Sequence, residues 1–338
     1  MLNGAVLLRA IKTWLPWVIT GAALWFTFRG IDWDTLVQHL ADATVGWLFV
    51  ALALSILSYS LRARRWQTLF PKPVLKFRDS IEILLLGFFM NNILPARAGE
   101  FVRAHFGGRR TGEKRTVVLA TIFSERLADG LAISLFFIVF ASSVGDAGLS
   151  RNFIYVAWLF GIVGVAALAV IWSRAFVFSL GERIADRIAR SPVTFTFKKL
   201  KQFIEGLAPL FSLVRIPSLV LYSTLIWSIE LCVYWAISEA FNAPLDIAGV
   251  VLFMVAVNFS SLVPAAPGGI GVIEMVGSFA LASIGIDREH ALSMVITQHA
   301  MQYVLVGVPG AYVLLTSREK IPTSPEANLA NGEADVTP

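Results

Sequence analysis

Eight ionisable residues stand in or beside apolar runs of this chain: Arg97, Glu100, Arg103, Glu125, Arg126, Asp129, Glu230 and Glu274. On insertion scales a charge at the centre of a membrane costs about 2.5–3.5 kcal/mol, so eight unpaired ones would be prohibitive. They must pair, face water, or sit near an interface. Guanidinium forks match phosphate geometry. Arg97 and Arg126 therefore read either as a phosphate clamp or as members of structural ion pairs, for example Arg126 with Glu100. Glu125 and Asp129 share one helix face, with Arg126 about 100° round the axis. Gln298, His299 and Gln302 repeat a polar face at helical spacing later in the chain. Glu274 reads first as a counter-ion to an arginine and second as a proton carrier. Arg103 reads as interfacial, its head reaching cytoplasmic headgroups. Glu230 has no evident partner. His299 is the type of residue that titrates near neutral pH, with a hydrogen-bonded packing role as the plainer reading.

Two broken segments are the elements that would position these groups. Pro264-Ala-Ala-Pro267-Gly268-Gly269-Ile-Gly271-Val-Ile-Glu274 interrupts an apolar run from Ile247 to Ile286. Proline and clustered glycine disfavour a continuous helix. Broken backbone at membrane depth is tolerated only inside protein or along a wet cavity. A half-helix starting near Gly268 would offer free N–H groups to an anion; a simple kink or a loop between spans is the alternative. Pro95-Ala-Arg97-Ala-Gly99 repeats the Pro-Ala-x-x-Gly pattern in the first half, and Asn91-Asn92 then falls over Ser260-Ser261. Interrupted apolar segments at corresponding places in two halves point to a transporter's binding site.

Composition and charge set the frame. The 338 residues are 57% hydrophobic and 15% charged, with a mean hydropathy of +0.71, so the expected class is an all-α polytopic membrane protein. The stretch from Trp14 to Phe28 reads as an uncleaved first span rather than a signal peptide. The lone Cys232 excludes an intramolecular disulfide. His39, His105, His290 and His299 lack metal-ligand spacing, so neither a metal nor a cofactor is expected. The net charge of +5 sits mainly in short segments between spans, which encodes orientation rather than nucleic-acid binding.

Six full spans are expected, at about 13–29, 45–61, 117–142, 153–172, 217–240 and 290–315. Arg62, Arg64, Arg65, Lys72, Lys76 and Arg78 read as one cytoplasmic loop. Arg97, Arg103, Arg109, Arg110, Lys114 and Arg115 read as the next. The apolar piece Ile81–Leu94 between them is too short to cross, and dips in and returns. The Pro264–Glu274 break dips from the other side. All Lys and Arg but Arg29, Arg126, Arg151 and Arg288 then fall on the cytoplasmic side, where both termini lie. Each half holds three crossings and one re-entrant hairpin, about eight membrane segments in all, and an odd number of crossings inverts the second half. Residues 1–320 form one integral membrane domain, with halves at about 13–142 and 153–315. Between spans, 173–216 carries two amphipathic stripes. A disordered cytoplasmic tail occupies 321–338.

Asn91-Asn-Ile-Leu-Pro95-Ala-Arg97-Ala-Gly99-Glu100-Phe-Val-Arg103, Glu125-Arg126-x-x-Asp129 and the Pro264–Glu274 motif resemble the flippase-like, lysylphosphatidylglycerol synthase transmembrane-region family. The resemblance covers about residues 10–316. It implies an integral membrane protein that moves lipid headgroups between leaflets, by analogy with the multiple-peptide-resistance factors. Only about twenty polar residues follow Thr316, so the aminoacyltransferase domain of those two-part proteins, and its lipid-modifying activity, are not expected.

The leading expectation is an inner-membrane transporter for an anionic phospholipid or lipid-linked headgroup, driven by a gradient or by none. No Gly-x-x-x-x-Gly-Lys-Ser/Thr loop is present to bind ATP. The site would draw on Asn91, Asn92, Pro95, Arg97, Gly99, Glu100, Glu125, Arg126, Asp129, Pro264, Pro267, Gly268, Gly269, Gly271, Glu274, Gln298 and His299. A scaffold or accessory subunit for envelope glycolipid enzymes is the second class. An enzyme using Glu125 and Asp129 as acid and base is the third, and is not expected.

Overall fold

The computed structural model describes residues 4–70, 75–94, 98–141, 162, 173, 215–260, 263 and 265–316. The fourth expected span, the 173–216 stripes and the tail lie outside the described residues or almost wholly so, as do Pro95, Arg97 and Pro264. Ten α-helices occur among the described residues: α1 (Gly4–Phe28), α2 (Trp33–Ala41), α3 (Val45–Leu69), α4 (Phe77–Ile93), α5 (Gly99–Thr111), α6 (Arg115–Ala141), α7 (Ile216–Ala240), α8 (Ile247–Ser260), α9 (Val272–Ala282) and α10 (Arg288–Thr316). Three of them, α3, α7 and α10, are long and apolar enough to cross a membrane. Five of the six expected spans are therefore helices here, and both expected hairpins are helix–break–helix.

One difference from the sequence reading matters. The second span does not end at residue 61: α3 runs on to Leu69, stopping just before Phe70-Pro71, where proline disfavours helix for the preceding residue. Arg62 and Arg65 thus belong to a helix interior, not to a loop. The connection between the first two expected spans contains α2. The Asp32 carboxylate caps it, accepting from the N–H groups of Asp34 (3.0 Å) and Thr35 (3.3 Å). Those bonds hold the Asp32 carboxyl below the usual carboxylate range.

The helices' ends sort into two levels. Helices α3 and α7 run antiparallel along their length: Thr44 N–H bonds the Ala240 carbonyl at one end (2.7 Å), and Arg215 reaches the Leu69 carbonyl at the other (3.4 Å). The Ala240 end also collects the end of α1 and the start of α10, through Arg288 to the Phe26 carbonyl (2.8 Å) and His290 to the Phe241 carbonyl (2.7 Å). Helices α4 and α5 both return to the Leu69 end, where Arg110 at the end of α5 pairs with Asp79 at the start of α4 and Ser80 bonds the Ala63 carbonyl (2.8 Å). Helix α8 starts after a six-residue connection from α7, and Ile284, just past α9, lies against Gly249 near that start. The two hairpins therefore open toward opposite ends of the bundle.

A large apolar core joins α7, α8 and α9, with Tyr234, Phe253, Met254 and Leu281 wholly buried. A second core, around Trp66, Leu86, Met90 and Val118, packs α3, α4, α5 and α6.

Candidate functional site

Burial of Arg62 and Arg65 follows from their spacing, which puts both on one face of α3, turned toward α6 and α7. Arg65 meets Asp129 in a bidentate pair, Nη1–Oδ1 2.7 Å and Nη2–Oδ2 3.1 Å, and also donates to Ser223 (2.9 Å). Arg62 donates to Glu230 (3.2 Å) and lies 3.5 Å from Asp129. Ser58 gives Glu230 a further hydrogen bond of 2.7 Å, and Trp227 Nε1–H gives Asp129 another at 3.0 Å. On the other side, Arg103 Nη2 sits 2.6 Å from Glu125 Oε2, and Arg65 Nε 3.9 Å from Glu125 Oε1. The Arg103 guanidinium stacks over the Trp66 ring at 4.1 Å. Arg126 donates to Glu100 at 3.1 Å, a pair about 30% exposed.

Among the described residues four arginines thus face four carboxylates, and their formal charges cancel. That resolves the cost of placing so many charges in apolar surroundings, since buried charges persist when paired and hydrogen-bonded. Four donors reach the two oxygens of Asp129, which fills a carboxylate's capacity.

Three expectations are corrected by this geometry. Arg103 is not interfacial: it is 4% exposed, drawn in by Glu125 and Trp66. Glu230 is not alone, because Arg62 and Ser58 hold it. Arg62 and Arg65, expected in a cytoplasmic loop, supply the counter-charges. Sequence reasoning misses both as site residues, although neither glycine nor proline stands between Gly46 and Pro71 and that gap is the available signal.

Two adjoining clefts border this group. One is lined by Asn91, Gly99, Glu100, Arg103 and Arg126, the other by Arg62, Arg65, Arg103, Glu125, Arg126 and Asp129; both are narrow, the first without room for a water-sized sphere and the second with about 10 Å³. The N-terminus of α5 at Gly99 opens into the first. Gly99 lies so close to α4 that a Cβ would come within 2.0 Å of the Gly87 carbonyl oxygen. The buried atoms Asn91 Oδ1, Arg65 Nε and Arg103 Nε have no hydrogen-bond partner. Asn92, one residue before the end of α4, lies outside both linings.

The second break forms a separate cluster. Gly268, Gly269 and Gly271 take φ of 75°, 74° and 85°, left-handed values that side chains resist. Helix α9 therefore begins at Val272, not near Gly268, and Gly271 is its cap. Its N-terminus already holds a carboxyl group: Glu274 Oε2 accepts from the Gly271 N–H at 2.6 Å. Among the described residues no arginine pairs with Glu274. Its other oxygen lies 2.5 Å from His299 Nδ1, while His299 Nε2 faces the Gly268 carbonyl at 3.2 Å. Pro267 opens the 3-10 turn Pro267–Gly269, which packs against α4. Thr20 of α1 accepts from the Ala266 N–H at 2.9 Å. Gln298 points elsewhere, to the Tyr234 hydroxyl (3.1 Å), which Asn258 also reaches (3.1 Å). Helix α4 is the element common to the two clusters.

A helical bundle with candidate spans, paired charges inside and two broken helices is a multi-pass membrane protein. Residues 13–310 match the family of the lysylphosphatidylglycerol synthase TM region, and the chain belongs to that family. It is similar to the UPF0104 membrane protein PH1989 of Pyrococcus horikoshii, 23% identical over 86% of this chain and 93% of that protein. The UPF0104 membrane protein MJ1078 of Methanocaldococcus jannaschii is 26% identical over 70% of this chain and 98% of its own. The glycosyltransferase AglD of Haloferax volcanii is 24% identical over 91% of this chain but 55% of its own length.

Proposed function

We propose that this chain is an inner-membrane transporter that passes an anionic lipid headgroup, phospholipid or lipid-linked, between leaflets without ATP. The observation that carries the reading is the cleft at the start of α5. Arg126 lines it together with Gly99 and Glu100 of the first turn of α5, beside a buried Arg103 with an unpartnered Nε. Both features favour an anion.

An inverted repeat, with six crossings and two re-entrant hairpins, is part of the proposal. Its support is the packing pattern: exchanging halves sends α3 to α7, α4 to α8, α5 to α9 and α6 to α10. Under that exchange α3 with α7 maps onto itself, α4 with α10 maps onto α8 with α6, and α5 with α6 maps onto α9 with α10; all of these pairs are in contact. Opposite opening of the hairpins agrees with the inversion. Cytoplasmic termini follow from the basic-residue bias.

A transporter is preferred to an enzyme because Glu125 and Asp129 are both already held by guanidinium groups, which suits a brace better than acid–base chemistry. A second reading, an accessory membrane module for a glycolipid enzyme, is supported by the match to part of the longer glycosyltransferase. Purified protein in phosphatidylcholine vesicles with fluorescent phosphatidylglycerol separates them. Faster leaflet exchange supports transport, a new lipid product supports an enzyme, and inert vesicles favour the accessory module.

A further inference from the structure

Both ring nitrogens of His299 face acceptors: Nδ1 a carboxylate oxygen of Glu274, Nε2 the Gly268 carbonyl. A neutral imidazole carries one N–H and cannot donate to both. The contacts are satisfied together only when the pair holds one further proton, as imidazolium with carboxylate or as imidazole with a Glu274 O–H donating to Nδ1. We propose that His299 and Glu274 form a proton-binding site that keeps the second break closed, and that proton uptake and release accompany each transport cycle. The coupling rests on the transporter reading; the proton site does not.

The step balances simply. One proton leaves for water, and the pair is left with a carboxylate and a single N–H. If that N–H stays with Glu274, a lone pair on Nε2 faces the Gly268 oxygen, and the longer, weaker contact opens. The break then loses one of its ties to α10. The closed form binds one proton more than the released form, so raising the pH favours release, about tenfold per pH unit for one linked proton.

Among the described residues the surroundings give the pair no further charged partner. Tyr303 of α10 packs edge-on against the His299 ring at 4.9 Å. Helix α1 brings Thr20 and Leu24, and α8 brings Asn258. From α7 come Tyr234, reached through Gln298, and Glu230, already held by Arg62. Helix α2 places His39 on His290, near the start of α10, and α4 carries Arg78, Asp79 and Glu82 at its far end. No lysine or arginine among the described residues pairs with Glu274.

The test is hydrogen exchange of residues 266–271 in full-length protein in phosphatidylcholine nanodiscs, from about pH 5 to 9, corrected for intrinsic chemistry. Wild type is expected to show a rise approaching tenfold per pH unit. In Glu274→Gln the amide donates to Nδ1, leaving Nε2–H for Gly268, so the segment is expected to stay protected throughout. His299→Gln is expected to lose the pH step as well. A flat wild-type profile, or the same step in either variant, overturns the proton site. Vesicles with fluorescent phosphatidylglycerol and an imposed pH difference test the coupling. A wild-type rate that responds to the gradient, with no response in Glu274→Gln, supports it. Wild-type transport indifferent to the gradient overturns the coupling and leaves the transporter reading standing. No transport of any lipid overturns the transporter reading, and the exchange step still decides the proton site.

Discussion

Arg65 and Asp129, 64 residues apart in sequence, form a bidentate pair at the junction of α3, α6 and α7, with Arg65 only 1% exposed. Trp227 and Ser223 of α7 complete its hydrogen bonds. The pair fixes the relative setting of three helices. Removing one partner strands the other charge, which typically costs about 3–5 kcal/mol. Arg65→Gln and Asp129→Asn are each expected to lower thermal stability in detergent sharply, with the double variant less damaged than the sum. Arg65→Lys keeps the charge but loses the fork, and is expected to fall between. Strict additivity in this cycle would remove the pair as the organising contact.

Close approach at the first hairpin gives a steric prediction. A Cβ on Gly99 would meet the Gly87 carbonyl oxygen at 2.0 Å, and backbone of a packed helix cannot yield as a flexible side chain would. Gly99→Ala is expected to pry α5 from α4 and reduce expression of folded protein, while Gly46→Ala, with open space around it, is expected to be tolerated. Equal folded yields would contradict this packing.

At the second break both packing and backbone angle call for glycine. A Cβ on Gly268 would fall 1.5 Å from the Tyr303 hydroxyl, and its φ is already left-handed. Gly268→Leu is therefore expected to destabilise the protein itself rather than block a substrate. Gly268→Ala with Tyr303→Phe is expected to recover only part of the stability, since the φ strain of roughly 1 kcal/mol remains. Thermal unfolding of the three proteins checks the order.

Helix ends are legible wherever a breaker stands in the chain. The start of α5 after the Pro95 motif and the break between α8 and α9 both follow from proline and glycine. Span boundaries based on hydropathy do worse, because an arginine past an apolar window looks like a loop until its partner is known. The partners of Arg62 lie 67 and 168 residues away, on α6 and α7, a distance no local pattern reports. Glu125, Asp129 and His299 stand out in the sequence as polar groups in apolar helices. Their partners do not, because pairing is a property of helix packing.

Hairpin topology has a direct readout. With Cys232→Ser removing the one exposed thiol, single cysteines at Arg78 and Arg110 are expected to react from the same side of the membrane. The pairing of Arg110 with Asp79 places those positions together. Cysteines at Asp246 and Ile286 are expected to react from the opposite side. Labelling of Arg78 and Arg110 from different sides would defeat the first re-entrant hairpin and, with it, the inverted repeat.

Arg126 separates binding from bracing. Its bond to Glu100 is partly exposed, and such pairs contribute about 1 kcal/mol or less. Losing a charged partner to a desolvated anion costs about 2–5 kcal/mol, roughly a 30- to 4000-fold loss at 1.4 kcal/mol per decade. Arg126→Gln is therefore expected to depress phosphatidylglycerol exchange far more than it depresses thermal stability, and Arg126→Lys to restore it only in part. If bracing were its whole role, Arg126→Gln and Glu100→Gln would destabilise alike, the double variant would recover much of the loss, and headgroup selectivity would not move. Stability and lipid selectivity measured on wild type, the two single variants and the double variant decide the matter. Recovered stability with unchanged selectivity would take Arg126 out of the headgroup site.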